Sequence, residues 1–112
     1  MTFEPWDVVV VPFPFTDKKT SKRRPALVLS AKQHFGIGHS VLAMITSQKN
    51  SDWPLDVPIT DGNAAGLTAL SKVRMKLFTL DDRLILRKVG ALSAKDAKAV
   101  TAAFKALFSG IL

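Results

Sequence analysis

The stretch Val8-Val9-Val10-Val11-Pro12-Phe13-Pro14-Phe15, followed by Thr16-Asp17-Lys18-Lys19-Thr20-Ser21-Lys22-Arg23-Arg24 and then Pro25-Ala26-Leu27-Val28-Leu29-Ser30, sets a cationic segment between two apolar runs. An unbroken β-branched run such as Val8 to Val11 reads as a strand buried on both faces. Pro12 and Pro14 each remove a ladder donor, so that strand should finish at a sheet edge or a corner. Leu27 to Leu29 reads as a second buried strand. Five of the nine residues from Thr16 to Arg24 are basic and one is acidic. That density repels itself unless something negative meets it, the alternative being a solvated loop. Pro25 disfavours helix at Arg24 and leads it in extended form into the second strand. An anchored guanidinium suits bidentate contact with a phosphate, whereas Lys18, Lys19 and Lys22 suit diffuse attraction to a polyanion.

Working outward, Ala31 to His39 carries two glycines and reads as a loop, and Ser40 to Thr46 as a third apolar strand ended by the polar Gln48 to Pro54. Asp56 to Thr60 is a short strand closed by the turn signal Asp61-Gly62-Asn63, and Gly66 is a position free to take positive φ. From Ser71 the residues alternate, with Val73, Met75 and Leu77 on one face and Lys72, Arg74 and Lys76 on the other, which predicts a dry face and a basic face. Thr79 to Arg83 suggests one helical turn, and Leu84 to Val89 a last strand. Ser93, with Asp96 three residues on, opens a helix that Gly110 should stop. Ala97, Val100, Phe104, Leu107 and Phe108 form its apolar stripe. The fold class is mainly β (α+β): a compact, mostly antiparallel sheet that curls into a small barrel, with a C-terminal helix, in a single domain over residues 1–112.

Composition narrows the function. A net charge of +7 on a chain that is 47% hydrophobic belongs to a folded surface, one that attracts nucleic acid or acidic protein. The absence of cysteine excludes disulfides, thiolate chemistry and Cys-based metal sites, and no metal or other cofactor is expected. His34 and His39 have no carboxylate near them in sequence and read as surface or strand-end residues. The N-terminus lacks the basic start of a signal peptide, and no apolar run approaches the ~20 residues of a membrane span, so a soluble, cytoplasmic protein with no membrane partner is expected. Thr46-Ser47-Gln48 places two hydroxyls and an amide where the third strand leaves the sheet. These groups could bind a phosphate or a base edge, or simply satisfy the strand end.

With these residues in view, the chain resembles the PemK/MazF-like toxins of bacterial toxin–antitoxin systems. The resemblance is carried by Trp6 to Asp17, Lys22 to Ser30 and Ala43 to Gln48, with support from Leu77 to Asp81 and Val89 to Leu92. It implies a small SH3-like barrel with a C-terminal helix, a homodimer, and metal-independent endoribonuclease activity on single-stranded RNA, blocked by a cognate acidic antitoxin. In that family the arginine before the proline of the second strand and the threonine ending the third carry cleavage. These match Arg24 and Thr46. Lys18, Lys19, Lys22, Arg23, Ser47, Gln48, Arg74 and Lys76 would bind RNA, with base selectivity set by the loop from Ser47 to Trp53 and by Asp56. The chemistry is compatible with such a site, because RNA brings its own 2′-hydroxyl nucleophile and needs from the protein alignment, charge stabilisation and proton transfer.

Two positions depart from the family. Many relatives have glycine where Trp6 stands, which bears on packing. Some place an arginine and, two residues on, an aspartate in the later strand, where this chain has Arg74 and Lys76. Asp17 and Glu4 are then the candidate general bases. The rival expectations are a non-cleaving or gyrase-directed CcdB-like toxin of the same barrel fold, and a generic RNA-binding domain. Against the latter stands the lack of interleaved exposed aromatics in the sequence.

Overall fold

The computed structural model describes residues 2–14 and 22–112. Six strands form one sheet: β1 (Asp7–Phe13), β2 (Lys22–Val28), β3 (His39–Ser47), β4 (Val57–Pro58), β5 (Ser71–Asp81) and β6 (Arg87–Ala91). Two helices, α1 (Lys32–Phe35) and α2 (Ala94–Leu107), and a 3-10 turn (Asp82–Leu84) complete it. The order across the sheet is β4-β5-β3-β2-β1-β6, every pair antiparallel.

The valine run explains the architecture. Alternate residues of β1, β2 and β3 enter two separate cores. Val8, Leu27, Ala43 and Ile45 pack with Val57, Val73, Val100 and Ala103, while Val9, Val11, Ala26, Val28 and Leu42 pack with Phe3, Leu80 and Ile85. The first core lies under α2. The sheet therefore curls with its centre dry on both faces, as an unbroken apolar strand requires. Its edges meet through the loop after β4. The Ala91 N–H donates to the Ala64 carbonyl at 3.0 Å. Gly66, at φ +72°, lies so close to Val89 that a Cβ there would collide with the Val89 carbonyl oxygen. Only glycine permits that approach and that φ together.

Most predicted elements appear, with shifts that have physical causes. Lys32–Phe35 is a single helical turn inside the segment read as loop; it is four residues long and has no side-chain cap, so nothing in the pattern announces it. β5 continues to Asp81, and the helical turn starts one residue later, with the Asp81 carboxylate accepting from the Arg83 N–H at 2.9 Å. α2 opens at Ser93, whose hydroxyl accepts from the Asp96 N–H, but ends at Phe108, two residues before Gly110. Its buried side is Asp96, Val100 and Ala103, and Leu107 is exposed. Asp96 is buried because it tethers the helix: its carboxylate accepts from the Thr60 N–H and hydroxyl and from the Asp61 N–H. Burial pushes its carboxyl up, but these bonds outweigh that and hold it below the ordinary 3.8.

Trp6 adopts φ +77°, a left-handed conformation that glycine takes most readily. The strain is held by two backbone bonds, Trp6 N–H to the Val28 carbonyl (2.8 Å) and Leu92 N–H to the Trp6 carbonyl (3.0 Å), and by the ring's packing on the first core.

Candidate functional site

A cleft of about 380 Å³ opens where β2, β3 and β5 meet, lined by residues that include Phe13, Arg24, Thr46, Ser47, Asn50, Trp53, Arg74 and Lys76. It gathers five of the residues singled out in the sequence: Arg24, Thr46, Ser47, Arg74 and Lys76. Arg24 stands opposite Val11 in the β1–β2 ladder and is exposed, with no ion pair among the described residues. Lys22 and Arg23 are exposed on the same strand but do not line the cleft. Lys18, Lys19 and Asp17 lie outside the described residues. Glu4 is elsewhere, 3.0 Å from Lys32, and does not line the cleft. Gln48 turns away and donates from Nε2 to the Ser71 carbonyl at 3.0 Å. Among the described residues no carboxylate lines the cleft, and no three His, Asp or Glu side chains converge as metal ligands.

Thr46 has a partner that spacing did not suggest. Asn50 Nδ2 donates to Thr46 Oγ1 at 2.6 Å. With its oxygen engaged as acceptor, the hydroxyl still has its own proton to donate. Ser47 Oγ accepts from the Lys49 N–H at 3.1 Å, which shapes the same turn.

The basic face of β5 needs correcting. Val73, Met75 and Leu77 do pack on the core, but Lys72 on the other face is only 3% exposed. The loop after β3 folds over it. Lys72 Nζ donates to the Asn50 carbonyl (2.6 Å) and to Asp52 (2.8 Å), and lies 3.4 Å from Asp56. Arg74 grips the same loop: Nε and Nη2 bond the two oxygens of Asp56 at 3.2 and 3.0 Å, and Nη2 also donates to the Ser51 carbonyl at 2.7 Å. Burial pushes the Asp56 carboxyl up, but the bonds from Arg74 and the Trp53 N–H, the Arg74 charge and Lys72 hold it below the ordinary 3.8. Its hydrogen bond to Asp56 raises Arg74 above its ordinary value. Two of the three cations are thus engaged within the protein, and only Lys76 stays exposed.

The clamp carries Trp53 to the cleft, where Phe13 of β1 also stands, correcting the expectation that no exposed aromatic is interleaved with the charges. Trp53 is 44% exposed, with the Arg74 guanidinium 4.6 Å from its ring centroid. Lys76 Nζ lies 5.5 Å from the Phe13 ring and 5.9 Å from Trp53.

A second cleft, of about 410 Å³, is lined by residues including Phe3, Lys32, Ile37, His39, Asp81 and Arg83. Size does not separate the two, but charge does. There Lys32 is paired with Glu4, and Arg83 with Asp81, whose carboxyl the Arg83 hydrogen bond pulls down to about 2. Among the described residues, the first cleft presents Arg24 and Lys76 without such neutralisation.

The molecule is thus a small curled antiparallel barrel with a C-terminal helix and a cationic, hydroxyl-bearing cleft. The family assignment is specific: residues 4–108 match the PemK-like, MazF-like toxin of type II toxin–antitoxin systems, and the chain belongs to that family. The fold is similar to the MazE–MazF structure (Form-III) from Deinococcus radiodurans, with TM-score 0.76 and 21% identity over 97% of this chain and 98% of that one. The toxin MazF-mt6 of Mycobacterium tuberculosis gives TM-score 0.73 and 21% identity over 92% and 96%. An endoribonuclease in complex with its cognate antitoxin, from a mycobacterial species, gives TM-score 0.73 and 12% identity over 99% and 98%. No curated protein sequence matches the chain.

Proposed function

We propose that this toxin is an endoribonuclease that cuts single-stranded RNA without a metal cofactor, and that a cognate acidic antitoxin blocks it by covering the cationic cleft. The observation that supports this most is the meeting in one cleft of an exposed Arg24, without an ion pair among the described residues, with Thr46, whose hydroxyl Asn50 orients. The substrate's 2′-oxygen attacks the adjacent phosphorus and loses its proton. The bond to the 5′-oxygen breaks, and that oxygen takes up a proton from solvent water. The products are a 2′,3′-cyclic phosphate and a 5′-hydroxyl end. Arg24 neutralises the extra negative charge on the pentacoordinate phosphorus, and Thr46 donates to a non-bridging oxygen. Lys76 adds positive charge at the cleft. Glu4 is held by Lys32 outside the cleft, which leaves Asp17 as the proposed acceptor of the 2′-hydroxyl proton. The same reading includes a homodimer, checked by light scattering on the purified protein.

The test is incubation with a long mixed-sequence RNA in EDTA. Cleavage to fragments with cyclic phosphate ends is expected. RNA left intact at every protein concentration rejects the reading, and growth arrest with intact RNA and inhibited gyrase replaces it with that of a non-cleaving toxin. Thr46→Val should lose most of the turnover while keeping the fold by circular dichroism; unchanged turnover removes Thr46 from the site.

A further inference from the structure

We propose that Trp53 is a specificity-determining residue: a base of single-stranded RNA stacks on its indole and so sets which phosphate lies against Arg24 and Thr46. The inference rests on the endoribonuclease reading and adds to it a contact for one base.

Three observations carry it. Trp53 is a large aromatic that keeps 44% of its surface exposed while lining the cleft that holds Arg24 and Thr46. A ring with no role outside the fold gains by burying that area.

Next, the ring is held by an unusual amount of structure. Trp53, Pro54, Leu55 and Asp56 form a tight turn in which the Asp56 N–H donates to the Trp53 carbonyl at 3.2 Å and the Asp56 carboxylate accepts from the Trp53 N–H at 2.9 Å. Pro54 sits at the second position. Leu55, at the third, takes φ +66°, where glycine or asparagine is the usual choice. Strain of this kind persists only where the surroundings over-determine it. Here the surroundings are the buried Lys72, the Arg74 fork on Asp56 and the Arg74 bond to the Ser51 carbonyl. A ring fixed in advance loses little entropy when a ligand arrives.

Finally, the neighbours alternate in kind. Arg74 stands by the Trp53 ring, and Lys76 lies within 6 Å of both Trp53 and Phe13. Cations for the backbone interleaved with aromatic faces for bases are what single-strand binders use, and this favours RNA over a peptide as the occupant.

The cleavage site of the wild-type protein is first mapped on a long RNA, and a 2′-O-methyl oligonucleotide containing that site then serves as an uncleavable probe. Titrating it should quench tryptophan fluorescence saturably in the wild type and not in Trp53→Phe, where Trp6 is the sole tryptophan. Trp53→Leu should raise KM by roughly 5- to 150-fold, the worth of one base–aromatic stack, and admit cuts at new sites. Trp53→Phe should restore most of the affinity and the original cutting pattern, which a purely structural role would not predict, since leucine also fills space. RNA cleavage by the wild type, combined with a Trp53→Leu protein of unchanged KM and cutting pattern, overturns this proposal and leaves the endoribonuclease reading standing. No cleavage by the wild type removes both. Quenching by an acidic antitoxin segment but not by the oligonucleotide overturns it in favour of a protein-binding role for Trp53.

Discussion

β2 and β5 both carry closely spaced cations, Lys22-Arg23-Arg24 on one and Lys72, Arg74 and Lys76 on the other, and the fold treats them in opposite ways. On β2 all three are exposed and none is ion-paired among the described residues. On β5, Lys72 and Arg74 are drawn inward by two aspartates of a loop that arrives from β3. The difference shows that positive charge in a sequence marks a ligand site only after the carboxylates that fold back on it have been subtracted. β2 leaves its charge open to solvent. β5 uses most of its charge to shape the wall against which a ligand would lie.

The comparison can be broken most forcefully at Lys72. Lys72→Ala removes one of the two cations on Asp56, the partner of the exposed Asp52 and the donor to the Asn50 carbonyl, so it should destabilise the fold by about 1 to 3 kcal/mol in urea denaturation. A cost like that of an ordinary surface substitution would place Lys72 with the β2 cations instead. Arg24→Ala should do the reverse. Cleavage should fall by about 10²- to 10³-fold, the scale for losing a group that stabilises developing negative charge, with stability changed by less than about 0.5 kcal/mol. Cleavage at the wild-type rate would end the proposed role of Arg24.

A smaller effect concerns pH. Asp56 is held below the 3.8 of the unfolded chain, so its contribution to stability is complete above that value and is lost as pH falls through the lowered one. Trp53 fluorescence should therefore report a loop that stays clamped down to about pH 4 and loosens only in stronger acid. Asp56→Asn should loosen the loop at neutral pH and flatten that acid dependence; an unaltered acid profile would remove Asp56 from the clamp. The smallest effect is on salt. If about five phosphates are contacted, affinity for single-stranded RNA should fall with a log–log slope of roughly −3.5. Arg23→Ala should weaken that slope by about 0.7 per lost contact, whereas Lys72→Met should leave it in place. Equal changes from both would mean that β2 and β5 meet the ligand alike.

Much of this architecture was legible because its signals are local. The valine run, the alternation from Ser71, the Ser93 cap and the Asp61-Gly62-Asn63 turn each act within a few residues, and the sheet, the helix and the two dry faces follow from them. Arg24 could be singled out for the same reason, since Pro25 constrains it directly. What escaped is what depends on distant pairing. Lys72 reads as a surface lysine until Asp52 and Asp56 are brought over it, and no spacing rule joins residues 20 and 16 positions apart across a turn. Trp53 was legible only as part of a selectivity loop, because its placement depends on Arg74. Asn50 and Thr46 are four apart, a separation with no meaning outside a helix until the turn at Ser47 is known.

The glycine contacts that join the ends of the sheet limit how other chains can attach. A sheet with open margins can be extended by a visiting peptide that contributes one more strand through main-chain hydrogen bonds. Here the loop carrying Ala64 and Gly66 already lies against β6, and the opposite margin, β4, offers two residues, one of them a proline without an N–H. At the β6 margin, then, a partner has to read side chains rather than extend the sheet, whereas on the far side β4 covers only Lys72 and Val73 of the longer β5.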